Sequence, residues 1–131
     1  MSMARRLIDL EERRFREAVA EFAAFWKPFV LRPARQEYVR ARLREVGFEG
    51  HDLAALERWH AAQPPDQRAI HDAVEAAIFG MVLRPHDGVG IRTGLAAIAP
   101  ELGLDAHTPP VLIIRALRAT IEAEDACERA S

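Results

Sequence analysis

Residues 5–26 read RRLIDLEERRFREAVAEFAAFW, and this stretch decides the class of the fold. Its apolar residues recur at intervals of three and four, which places them on one face of an amphipathic α-helix at about 100° per residue. Charged residues follow the opposite face at i, i+4 spacing, as on a solvated ridge. We therefore predict a first helix from about Arg5 to Trp26, whose buried face carries Leu7, Ile8, Phe15, Ala18, Val19, Phe22, Phe25 and Trp26.

Proline and glycine then divide the chain into further helices. Pro28 is expected to break the first helix, and Pro33 fits the first position of a second one. Gly47 suits the residue just beyond a helix end. The predicted second helix therefore ends at Gly47, and its apolar stripe consists of Tyr38, Val39, Leu43 and Val46.

Two more helices are predicted between the second helix and residue 83. A short third helix starts near Asp52 and ends before Pro64. The fourth begins at Pro64 and Pro65 and runs to about Leu83, where Pro85 stops it. Its apolar residues repeat at 4, 3, 4 spacing, which favours antiparallel packing against the first helix: Ile70, Val74, Ala77 and Met81.

The last third of the chain predicts a glycine-rich loop at 84–94, a short helix near Gly94–Ala99 and a final helix that ends about Cys127. Thr108 is the expected N-cap of that final helix and Pro109 its first residue. The apolar run at 111–114 covers every side of a helix turn, so this helix should be central or lie in a subunit interface. The fold class that follows is all-α, a single-domain bundle of about five to six helices over residues 1–131.

Composition sets limits on function. The chain has 131 residues, half of them hydrophobic and 29% charged, which suits one globular core. Apolar runs are too short for a membrane span, and acidic residues interrupt the N-terminus before a signal peptide forms, so we expect a soluble cytoplasmic protein without membrane contact. The net charge of −2 does not favour a polyanionic partner. Cys127 is the single cysteine, which excludes an internal disulfide and a multi-cysteine metal cage.

A metal site is one hypothesis for the helical segments. Glu57 and His60 stand three residues apart on the predicted third helix, while His71 and Glu75 stand four apart on the next. Di-iron bundles need inward glutamates and two Glu-x-x-His motifs, and this sequence has one. We therefore expect no metal and no other cofactor. Glu11, on the predicted apolar face of the first helix, should lie near an arginine or a polar opening.

The predicted loop at 84–94 is the best candidate for contact with a small ligand or a partner. Its glycines allow backbone N–H groups to approach an anion, although their spacing is not that of a P-loop and no strand precedes them. The side chains that could take part are Arg84, His86, Asp87, Arg92 and Thr93.

Two segments, 39–56 and 95–118, resemble a helix-turn-helix motif. The first lacks side chains that read base edges. The second resembles the first helix and turn of bacterial repressor motifs, and it departs from them at Pro100 and Pro109. In that segment Arg115 and Arg118 would face phosphate.

Charges at the two ends of the chain oppose their helix dipoles. Arginines lie at the start of the first helix. The end of the last helix carries four acidic residues, Glu122, Glu124, Asp125 and Glu128. We expect these two ends to lie close together, within one chain or across a dimer axis.

No catalytic signature stands out, so the leading hypothesis is a non-enzymatic helical module that binds a protein partner and self-associates as a homo-oligomer. A DNA-binding regulator with a helix-turn-helix-like segment at 95–118 is the alternative, and a metal-dependent enzyme is the third.

Overall fold

The computed structural model describes residues 2–48, 50 and 53–130, and these form six α-helices and a 3₁₀ turn with no strand. This architecture confirms the prediction of an all-α bundle. None of the helices within the described ranges combines the length and the apolar character that crossing a membrane requires. The helices are α1 (Met3–Val30), α2 (Pro33–Glu45), α3 (Leu53–Ala61), α4 (Pro65–Leu83), α5 (Gly88–Ile98) and α6 (Pro110–Ala130), and the 3₁₀ turn is Ala99–Leu102.

The hydrophobic core is built from α1, α4, α5, α6 and the 3₁₀ turn. Helices α2 and α3 contribute no buried residue, although α2 carries the apolar stripe that the sequence indicates. The core side chains are Phe15, Val19, Phe22, Phe29, Ala77, Met81, Ile91, Leu95, Ile98, Ala99, Ile113, Ile114, Leu117 and Ile121.

Helix α1 continues through Pro28, so the predicted break there is wrong. Proline removes one backbone hydrogen bond from a helix, and tertiary packing can outweigh that loss. The neighbouring Phe29 is buried and stacks on Phe25 at a ring-centroid distance of 5.3 Å. Burial of this aromatic side chain therefore supports a last helical turn that the local sequence disfavours.

The start of α1 is exposed, which corrects the prediction that its whole apolar face is buried. Ser2 caps the helix by accepting a hydrogen bond from the backbone N–H of Arg5 at 3.2 Å. Every residue from Ser2 to Glu11 is solvent-exposed, and the buried stripe begins at Phe15. Residues 3–12 are called the α1 arm below.

The glycine-rich segment 84–94 is mostly helix, so the prediction of a long loop there is wrong. Only residues 84–87 connect α4 to α5, and Asp87 caps α5 by accepting a hydrogen bond from the backbone N–H of Gly90 at 3.1 Å. The role of Gly94 is close packing, because a Cβ at this position would lie 3.0 Å from the backbone nitrogen of Ala77. Helices α4 and α5 thus form a tight antiparallel hairpin.

Helix α2 has the boundaries that its sequence predicts. Pro33 is its first residue, and Gly47 follows its end with φ of +93°. The N–H of Gly47 donates to the carbonyl of Arg44, and the N–H of Phe48 donates to that of Leu43. These two bonds are those of a Schellman motif, which requires a left-handed residue at the glycine position.

Other helix ends agree with the prediction to within a few residues. Helix α3 ends at Ala61, before Pro64, but its predicted start at Asp52 lies outside the described residues. Helix α6 begins at Pro110 rather than Pro109 and extends three residues past Cys127.

Helices α1 and α6 lie side by side and run in the same direction. The first residues of α6 lie beside Glu11–Phe15, and the guanidinium of Arg118 stacks 4.5 Å from the ring centroid of Phe25. At the far end, Asp125 pairs with Arg32 at 2.9 Å. This parallel arrangement brings the two N-termini to the same end of the bundle.

The acidic end of α6 contacts the joint between α1 and α2, so the prediction that it meets the start of α1 is wrong within one chain. Besides the Arg32–Asp125 pair, Arg35 lies 3.6 Å from Glu128. Both side chains of this second pair are nearly buried, with exposed fractions of 12% and 10%. The excess negative charge is thus offset by arginines near the start of α2.

Candidate functional site

The α1 arm presents large apolar side chains that no other part of the described chain covers. Their exposed fractions are high for residues of this type, and Ile8 lies seven residues before Phe15, on the same face of the helix as the core stripe. Clustered apolar side chains on a surface mark interaction sites, whereas single ones do not. The exposed members are Met3 (78%), Leu7 (56%), Ile8 (57%) and Leu10 (39%). Met3, Leu7 and Leu10 share one side of the helix at i, i+4, i+7 spacing, and Ile8 lies on the neighbouring side that continues the core stripe.

A groove of about 770 Å³ adjoins the base of the arm, between residues 11–15 of α1 and the start of α6. Leu112 on α6 is 46% exposed and contributes apolar surface to it. Glu11, which was predicted to lie near an arginine or a polar opening, lines this groove together with Arg14 and Arg115. The groove therefore combines apolar surface with charges of both signs.

Arg92 of α5 lines this groove and contacts two residues of α1. Its guanidinium carbon lies 4.0 Å from the ring centroid of Phe15, and its Nη2 donates to the carboxylate of Glu12. The ion pair is partly exposed, since 36% of the arginine side chain and 47% of the glutamate side chain are accessible. Arg92 thus connects α5 to the base of the α1 arm.

The other residues predicted around 84–94 have separate local roles. Asp87 caps α5, and the hydroxyl of Thr93 donates to the carbonyl of Val89. Arg84 stacks on Phe79 of α4 at 5.2 Å, and His86 is exposed in the connecting turn. Of the five residues predicted around 84–94, Arg92 alone lines the groove.

The two arginines predicted to face nucleic acid differ in their surroundings. Arg118 stacks on Phe25, and its Nε donates to Glu122 at 2.7 Å. Arg115 is exposed at the groove and forms no ion pair within the described ranges.

The helix-turn-helix spacing predicted at 95–118 is wrong. Residues 99–109 separate α5 from α6, whereas that motif joins its helices by a turn of about three to four residues. The other segment, 39–56, includes positions outside the described residues and stays a prediction.

The residues considered for a metal site are not gathered into one ligand set. The Nε2 of His60 lies 3.0 Å from Asp72, and the rings of His60 and His71 lie 6.4 Å apart. Glu11 instead lines the groove beside the start of α6. Over residues 2–48, 50 and 53–130, no three His, Cys, Asp or Glu side chains are grouped as a metal site requires.

No family model, curated protein or solved structure matches this chain. Its candidate site is therefore defined by the geometry of the α1 arm and the adjoining groove. The sequence pattern assigned Leu7 and Ile8 to the buried face, which is wrong, and it did not include Met3 and Leu10. Periodicity shows which face of a helix is apolar and does not show what covers it.

Proposed function

We propose that this protein is a self-associating helical interaction module whose α1 arm binds the arm of a second copy. The observation that supports this proposal is the exposed apolar cluster of the arm, on a helix that is capped at its first turn by Ser2. A preformed helix loses less conformational entropy on binding than a disordered segment does.

The charge order along the arm favours an antiparallel pairing of two copies. Its first half is basic at Arg5 and Arg6, and its second half is acidic at Asp9, Glu11 and Glu12. A parallel pair would place like charges together, whereas an antiparallel pair places each basic half against an acidic half. A two-fold axis supplies this arrangement, because the same surface then serves both subunits.

The helical spacing brings specific residues together in such a pair. Arg5 and Glu12 are seven residues apart, so they lie on the same side of the helix. In the antiparallel pair Arg5 therefore meets Glu12 of the partner subunit, beside the apolar contacts of Leu7 and Ile8. The Glu12 side chain is 47% exposed and already accepts from Arg92 within its own chain, so in the dimer its carboxylate is shared between two arginines. The arm is short relative to a standard interface of about 800 Å² per subunit, so we expect a dimer that dissociates on dilution.

The solution mass of the protein tests this proposal. We expect sedimentation equilibrium to show a monomer–dimer equilibrium for the parent chain and a monomer for the double variant Leu7→Glu, Ile8→Glu. Both side chains are exposed, so the variant should keep its helical circular dichroism spectrum.

The matched control is the double variant Leu53→Glu, Leu83→Glu, which introduces the same two negative charges outside the arm, at side chains that are 70% and 61% exposed. This control should dimerise like the parent chain. A parent chain that is monomeric at every concentration, or an arm variant that dimerises as the parent does, would show that the arm is not the interface.

A further inference from the structure

The groove at the base of the α1 arm is bounded by three helices. Residues 11–15 of α1 form one wall, Arg92 of α5 lies on the second, and the segment 109–115 at the start of α6 contributes the third. Its volume of about 770 Å³ lies in the upper part of the range for sites that enclose a whole ligand molecule. The groove is therefore large enough to admit one turn of a helix.

The antiparallel pairing proposed above brings the first turn of α1 to this groove. Each residue adds about 1.5 Å to a helix, so two residues back along one helix correspond to two residues forward along its antiparallel partner. The pairing of Arg5 with Glu12 of the partner subunit therefore places Met3 beside Arg14 of the partner subunit, and Arg14 lines the groove. Met3 and Arg14 are eleven residues apart, about three helical turns, so they share one side of α1.

The first turn of α1 carries backbone donors that lack acceptors in their own chain. The N–H of Arg5 donates to the hydroxyl of Ser2 at 3.2 Å, and the N–H of Arg6 donates to the carbonyl of Ser2 at 3.2 Å. Within the described ranges, the N–H groups of Met3 and Ala4 have no acceptor, as is usual for the first residues of a helix. These free N–H groups give the helix start a partial positive charge, which a carboxylate stabilises.

Glu11 is the carboxylate of the groove that is available to such a helix start. Glu12, the other acidic residue of the lining, already binds Arg92. Glu11 forms no ion pair and no side-chain hydrogen bond in the described part of the chain. It follows Leu7 by four residues and Ile8 by three, so it lies on the apolar side of the arm. A helix that covers Leu7 and Ile8 therefore also contacts Glu11.

Two arginines make Glu11 the decisive charge of this groove. Arg14 and Arg115 line it, and neither forms an ion pair among residues 2–48, 50 and 53–130. A positive helix end would be repelled by these two side chains. Glu11 offsets that repulsion, so its removal should weaken the contact strongly.

Apolar side chains on both surfaces support the same contact. Met3 is 78% exposed at the first turn, and Leu112 is 46% exposed on the α6 wall of the groove. The register that places Met3 beside Arg14 of the partner subunit also brings it to this wall. The two side chains then remove each other from water, which favours association.

We propose that the first turn of α1 enters the groove of the partner subunit, where Glu11 of the partner subunit accepts hydrogen bonds from the N–H groups of Met3 and Ala4. Met3 packs on Leu112 of the partner subunit. This inference rests on the proposed dimer and adds the start of α6 to its interface. The two-fold axis repeats the contact, so each dimer contains it twice.

The first experiment measures the dissociation constant of the dimer by sedimentation equilibrium at low salt. Glu11→Gln should weaken the dimer about tenfold, because a charge at a helix start is lost twice per dimer. Asp9→Asn is the matched control. It removes the same charge from the arm, but two residues along a helix place Asp9 on the opposite side from Glu11, so the dissociation constant should change less than about twofold.

The second experiment uses single-cysteine variants in a Cys127→Ser background, which contains no other cysteine. A mixture of the Met3→Cys and Leu112→Cys proteins should form a covalent heterodimer with a short bismaleimide, and neither protein should do so alone. A mixture of the Leu7→Cys and Leu10→Cys proteins is the control for arm pairing, because these positions face each other in the same register without α6.

The results separate this inference from the proposed dimer. If the Leu7–Leu10 mixture is crosslinked and the Met3–Leu112 mixture is not, the arms pair but the groove is empty, and the inference is overturned. The same conclusion follows if Glu11→Gln and Asp9→Asn weaken the dimer equally. A parent chain that stays monomeric, with neither mixture crosslinked, would overturn both.

Discussion

Replacement of Gly94 by alanine probes the tight packing of α4 against α5. Alanine is more favourable than glycine in a helix by about 1 kcal/mol, so an open site would gain stability from this change. The new Cβ would instead lie 3.0 Å from the nitrogen of Ala77 and 3.2 Å from the carbonyl oxygen of Ala73. Both are backbone atoms of α4, so relief requires the two helices to separate.

The size of the effect follows from these two opposing contributions. Overpacking of a well-packed site costs about 1–3 kcal/mol, and the helix preference of alanine offsets about 1 kcal/mol of this. We therefore expect Gly94→Ala to lower the free energy of unfolding by about 1 kcal/mol. Urea denaturation followed by far-ultraviolet circular dichroism measures the change, with an unchanged denaturant dependence as the sign that unfolding remains two-state.

Ala97→Gly provides the matched control on the same helix. Ala97 is exposed, so this reverse substitution reports the helix preference alone and should cost about 1 kcal/mol. A Gly94→Ala variant that is more stable than the parent by the amount measured at Ala97 would refute the packing argument.

Further predictions concern the helix ends, the core and the metal content. Urea denaturation measures each of the changes in stability. Asp87→Ala should cost about 1 kcal/mol, because the N–H of Gly90 loses its cap. Phe22→Ala should cost about 3–5 kcal/mol, because this side chain is 1% exposed and its removal leaves a cavity. Pro28→Ala should raise stability by about 1–3 kcal/mol, since the exposed proline interrupts the hydrogen bonds of α1; a loss of stability would show that the proline itself is needed for the helix path. Metal analysis of untagged protein should find no tightly bound transition metal, and near-stoichiometric metal that is lost in His60→Ala would contradict this expectation.

The sequence predicted the helices best where local chemistry defines their ends. Pro33 and Gly47 delimit α2 because one fixes φ at a helix start and the other adopts the left-handed conformation after its end. Such signals depend on a few neighbouring residues, so they can be read without knowledge of the tertiary structure.

Predictions failed where tertiary packing outweighs local preference. Pro28 does not end α1 because Phe29 packs in the core, and the glycines before residue 94 do not form a loop because α5 packs closely against α4. Glycine has two uses, flexibility in a loop and close approach of two helices, and composition alone does not distinguish them.

Only part of the candidate site could be predicted from the sequence. The sequence predicts Arg92 to be a loop residue at an anion-binding segment, whereas the structure places it on helix α5, in the groove, with its charge paired to Glu12. Leu7 and Ile8 are exposed because α6 starts at Pro110, beside Glu11, and no other helix of the described residues covers the arm. The position of one helix start relative to another helix is a property of the tertiary structure, and the periodicity of the sequence does not determine it.

Helices α2 and α3 have no buried side chains, so the described part of residues 31–64 lies outside the core that α1, α4, α5 and α6 form. The chain leaves that core at the end of α1 and returns to it at Pro65. Substitutions and changes of length in such a segment affect local openings more than global unfolding. Evolution can therefore reshape this flank while the rest of the fold is kept, which makes residues 31–64 the part of the molecule where related chains would diverge most readily in sequence and in length.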